Sequence, residues 1–150
     1  MTNTQLQQRP RPTVDARSLW TGGVATAVVA ALVAVVGVLI VRGVFGIPVM
    51  APGNADGSID YVGAVWLAVF AAVGGLLATA LAHVLLLLAP RPMAFFGWIV
   101  GLVTLAFAIW PYTVRVGVAV HFANAALYAV IGIAIGTLVS LAAGQAVRPR

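Results

Sequence analysis

Few side chains in this sequence could do chemistry, and most of them lie in its last third. Arg115, His121, Asn124 and Tyr128 succeed one another within a long apolar run. Gly117, His121, Asn124, Tyr128, Gly132, Gly136 and Ser140 are spaced by three or four residues, which sets them on one slowly rotating face of a helix. Histidine can carry a proton near neutral pH or ligate a metal, and Asn and Tyr can hold the polar groups of a ligand. Polar residues inside an apolar span are costly, so such a face is either a site or a helix contact. Two readings follow. In one, His121, Asn124 and Tyr128 form a hydrogen-bonded cluster that fixes packing, each bond contributing about 0.6–2 kcal/mol in a bilayer. In the other they line an outward-facing pocket with Arg115 at its mouth.

The residue types exclude much else. Cysteine is absent, which removes disulfides, thiolate metal sites and thiol redox chemistry. Glutamate is absent too, and with it proton exchange through a membrane-embedded Glu. The second histidine, His83, falls near the opposite end of its own helix. At about 1.5 Å per residue it stands on the order of 10–15 Å from the depth of His121, too far to share a metal or a haem iron. His83 reads as a capping or snorkelling residue. No metal site, cofactor, nucleophile or paired base is visible, and the expectation is a protein that is not an enzyme.

The elements that must carry these residues follow from composition. The chain is 63% hydrophobic and 7% charged, with a mean hydropathy of +1.10, where a soluble domain carries roughly 25% charged residues. The reading is an all-α integral membrane four-helix bundle with spans at about 20–41, 62–89, 93–110 and 116–143. Residues 1–18 read as a polar tail, 19–144 as a single four-span domain and 145–150 as a second short tail. Gly23 and Gly37 in the first span, Gly75 in the second and Gly132, Gly136 and Ser140 in the fourth belong to small-residue stripes, which let helices approach closely. Pro90 and Pro92 stop the second helix, and Pro111 ends the third. The long loop at 43–60 has an apolar first half. Its second half places Asn54, Asp56 and Asp60 on EF-hand positions, but Pro52 and Gly63 stand where the first ligand and the closing carboxylate belong, so it reads as a turn.

All eight basic residues are arginine, set singly along the chain rather than in a nucleic-acid footprint. With both termini cytoplasmic, Arg9, Arg11, Arg17, Arg91, Arg148 and Arg150 lie inside, and only Arg42 and Arg115 lie outside, as the positive-inside rule prefers. Asp56 and Asp60, in the outer loop, are the expected partners of Arg42 or Arg115.

The Arg-bearing tail, the Pro/Gly loop after the first helix, the Arg91-Pro92 turn and the last-helix V-H-F-A-N-A-A around His121 together resemble a group of uncharacterised membrane proteins of high-GC Gram-positive bacteria, catalogued as a domain of unknown function. The resemblance covers about Trp20 to Gly144 and implies a four-helix fold without an activity. The resulting expectation is a multi-pass protein of the bacterial inner membrane, structural or accessory, packing through its small-residue faces in a homo-oligomer or a larger complex in the lipid bilayer. The alternative is a transporter-like protein that binds a small molecule or lipid at His121 and Asn124.

Overall fold

The computed structural model describes residues 13–50 and 61–148. Its helices are α1 (Ala16–Val38), α2 (Tyr61–Leu88), α3 (Pro92–Ile109) and α4 (Val118–Ala146). All four are long and apolar enough to cross a membrane. α1 runs on into a π-helical turn over Leu39–Val44, and α3 ends in a 3-10 turn over Trp110–Thr113, where Pro111 cannot donate to the helical ladder. Gly46 stops the first of these. It adopts φ +64° and donates its N–H to the Arg42 carbonyl, the left-handed cap for which glycine is suited.

α1 begins earlier than the composition suggests. Asp15 caps it, its carboxylate accepting from the backbone N–H of Arg17 at 3.1 Å and of Ser18 at 3.3 Å, so residues 16–18 are helix and not tail. The Asp15 N–H reaches the Ala146 carbonyl, and Thr13–Val14 pairs antiparallel with Val147–Arg148. These two-residue strands are the only strands among the described residues. They bring the start of α1 to the end of α4. Arg17, Arg91 and Arg148 therefore share this terminal end of the bundle, and Arg42 and Arg115 lie at the opposite, loop end.

α1 packs chiefly on α2 and α4, while α3 leans mainly on α4 and buries only Phe96. The core is built largely from alanine and aliphatic residues, among them Ala30, Ala34, Ala71, Ala82, Leu127, Ile131 and Val139. So many small side chains let the helix axes come close. At Gly75 the approach reaches backbone, because a Cβ there would stand 3.2 Å from Cα and 3.4 Å from N of Ala27. Gly23 faces Thr79, Gly37 faces Leu127 and Gly132 faces Thr104, each too closely for a side chain, and a Cβ on Gly136 would meet Val100 at 3.2 Å. Gly22, outside the expected stripe, would touch the Cβ of Ala142 at 2.6 Å. Ser140 leaves this surface. It is exposed and donates its hydroxyl to the Gly136 carbonyl at 2.7 Å, the usual way a Ser satisfies itself in an apolar helix.

A consequence can be measured. Gly75→Leu drives a side chain against the α1 backbone, which cannot step aside, and should destabilise the fold by about 1–3 kcal/mol in equilibrium unfolding from mixed micelles. Gly101→Ala, whose added Cβ meets nothing within 4 Å, should leave stability unchanged or raise it.

Candidate functional site

Asn124 is fully buried on α4, two turns from its start. Its side-chain amide is completely engaged. Nδ2 donates to the carbonyls of Pro48 at 3.1 Å and Val120 at 2.8 Å, and Oδ1 accepts the backbone N–H of Met50 at 2.8 Å. One turn further, the buried Tyr128 donates its hydroxyl to the Met50 carbonyl. Two polar side chains of α4 thus clasp one short strap, residues 47–50, to the loop end of the bundle. Val49 of the strap packs against the core. The local reason is plain: a strap without helical or sheet bonding leaves its backbone N–H and C=O groups without partners, and a buried backbone group needs one.

His121 has a different partner. Its Nε2 lies 2.9 Å from the Val114 carbonyl, which can only accept, so Nε2 carries the proton. The ring stacks on Tyr112 at 5.0 Å between centroids, and Tyr112 meets Phe122 edge-on at 6.0 Å. His121 thereby fastens the connection after α3 to the first turn of α4. Arg115 is exposed beside it. The four residues expected to form one pocket are accordingly divided: Asn124 and Tyr128 hold the strap, His121 holds the Trp110–Val114 turn, and Arg115 faces outward. The expected pairing of Arg42 or Arg115 with Asp56 or Asp60, and the calcium-loop comparison, involve residues 51–60, outside the described residues. Among the described residues no three His, Asp or Glu side chains come together as a metal would require. His83 is half-buried, and its Nδ1 is buried without a hydrogen-bond partner.

The space available to a ligand is elsewhere. Between α2, α3 and α4 runs a groove of about 470 Å³, within the range of ligand pockets, roughly 300–1,000 Å³. Its floor is α4, through Tyr128, Ile131, Gly132 and Ile135; one wall is α2 from Leu67 to Leu81, and the other is α3 through Ile99, Val100, Val103, Thr104 and Phe107. The floor side chains Tyr128, Ile131 and Ile135 are each at most 9% exposed, whereas Phe70, Val73, Leu77 and Val103 on the walls are well exposed, so the groove opens sideways between α2 and α3. Along α2 it extends for roughly 20 Å at 1.5 Å per residue. Of its lining residues only Thr104 and Tyr128 carry a polar side-chain atom.

Local sequence explains the opening. Ala71, Gly74 and Ala78 give α2 a shallow face, and on the floor Gly132 adds no side chain, Thr104 of α3 lying where its Cβ would stand. The pattern missed in the sequence is this row of small residues at 71, 74 and 78, which reads as packing surface because its partner is not evident from spacing alone.

A family whose description is a family of unknown function, DUF6069, matches residues 14–145. No curated protein and no solved structure matches the chain.

Proposed function

We propose a function for a chain that belongs to DUF6069, the family of unknown function: it is a multi-pass protein of the bacterial inner membrane that binds one hydrocarbon chain of a membrane lipid in the groove between α2, α3 and α4. The observation that carries this is the groove's lining, apolar but for two hydroxyls and open to the side along helices long and apolar enough to cross a membrane, where in a bilayer acyl chains would meet it. A polar ligand would bring groups that only two hydroxyls could answer, and that of Tyr128 is already donated to Met50. Each unanswered polar group costs several kcal/mol in an apolar site, whereas methylene groups recover the dispersion contacts that an empty groove forgoes. The activity is binding and not catalysis. The terminal end, with Arg17, Arg91 and Arg148, faces the cytoplasm by the positive-inside rule, and the strap lies on the outer side.

The accessory reading needs the small-residue faces as docking surfaces. Gly23, Gly37, Gly75, Gly132 and Gly136 are each met by a neighbouring helix of the same chain, so these faces serve the bundle itself. That favours the lipid-binding reading, with the ligand in the groove and not at His121.

The direct test is photolabelling of the detergent-purified protein with a diazirine-bearing palmitate, followed by peptide mapping. Label should concentrate in the segments 67–81, 99–107 and 128–135. The outward face of α1, with Val24, Val28 and Leu32 all exposed, is the internal control. Labelling of α1 as heavy as that of the groove would refute the proposal.

A further inference from the structure

Tyr128 belongs to two structures at once. Its ring lines the loop end of the groove and lies 6.3 Å from that of Phe107, a second groove residue. Its hydroxyl holds the Met50 carbonyl, and the same residue's N–H is held by Asn124. The strap's other anchors are at its root, where Gly46 and Ile47 donate to the carbonyls of Arg42 and Val41. Beyond Ile47 the strap is held by the packing of Val49 on the core and by hydrogen bonds to two side chains, one of which forms part of the groove.

We infer that Tyr128 is a latch that couples occupation of the groove to closure of the strap over the loop end of the bundle. The inference rests on the lipid-binding reading. With the groove empty, the Tyr128 ring lacks packing on its groove side and its hydroxyl swings away from Met50 more often. A hydrocarbon chain lying against the ring restricts it to the orientation in which the hydroxyl meets the Met50 carbonyl. Linkage makes the effect reciprocal: if the chain stabilises the closed strap by some factor, the closed strap tightens binding of the chain by the same factor. Asn124 contributes to closure but does not line the groove, so it holds the strap without sensing the ligand.

The test uses the full-length protein in detergent, with and without palmitate, and reads amide hydrogen exchange of the strap peptide containing Met50. Palmitate should slow exchange there by about fivefold or more, the lower range of site-to-site couplings. Tyr128→Phe keeps the ring and removes only the hydroxyl, so strap exchange in it should no longer respond to palmitate even at concentrations raised until groove labelling matches that of the wild type, the raise itself being required because the lost coupling weakens binding by the same factor. Unchanged strap exchange in the wild type despite groove labelling would overturn the latch and leave the lipid site standing. A full response in Tyr128→Phe would overturn it equally, since the coupling would then bypass the hydroxyl. Absence of groove labelling removes the lipid site and the latch together. Should Tyr128→Phe fail to fold, the wild-type comparison with and without palmitate decides alone.

Discussion

Replacing Asn124 with leucine should release the strap and destabilise the protein by about 2–4 kcal/mol, because the loss of one buried side chain strands several groups. The wild-type amide satisfies the Pro48 carbonyl and the Met50 N–H, and it also bonds the Val120 carbonyl within its own helix. Leucine keeps the same branched outline and is no smaller, so the effect comes from the lost hydrogen bonds and not from a cavity. Val120 still has its helical partner. Pro48 and Met50 do not, and either they stay buried without partners or the strap lifts into water. The second outcome limits the cost, and it gives a signature: exchange at Met50 should accelerate far more than exchange in the middle of α4. Thermal unfolding in detergent together with exchange mass spectrometry measures both. Unchanged stability and unchanged strap exchange would show that Asn124 does not clasp the strap.

The second large effect is on binding. Gly74→Leu places a side chain in the groove at a point with room for it, since a Cβ on Gly74 would lie 3.6 Å from Cδ1 of Ile135, an ordinary contact. The branched end then occupies space between the walls that a lipid chain would fill. Palmitate labelling of the groove should fall by about tenfold or more, equivalent to a loss of at least about 1.4 kcal/mol in binding. Stability should hold or rise, because glycine within a helix costs about 1 kcal/mol relative to good helix formers. This combination of a more stable protein that binds less separates a ligand groove from a mere packing defect.

Much of the architecture is legible from hydropathy. The four apolar runs and their Pro and Gly punctuation fall within a few residues of the helices, because length and the demand for internal hydrogen bonding leave a membrane chain little choice. Gly23, Gly37, Gly75, Gly132 and Gly136 are recognisable as contact residues because each falls in a row of small residues spaced three or four apart along its helix, a pattern that lets helices approach closely. The N-terminal boundary is less so, since it is set by the Asp15 side chain capping the N–H groups of Arg17 and Ser18, a polar signal that hydropathy does not register. The site is legible in its residues but not in its partners. Asn124 and Tyr128 stand out as polar groups in an apolar helix, yet their partners are the backbone of residues 48 and 50, more than 70 positions away, and backbone groups carry no sequence signal. The groove is the least legible feature. It is an absence of side-chain volume shared by three helices, and periodicity on any one of them reports only its own face.

Occupation of the α2–α3–α4 groove by a single lipid chain can be read by native mass spectrometry of the protein released from its own membrane in mild detergent, wild type beside Gly74→Leu. The wild type should retain one lipid per chain, and Gly74→Leu should appear lipid-free under identical activation. Equal retention in both proteins, or a lipid-free wild type, would contradict the claim.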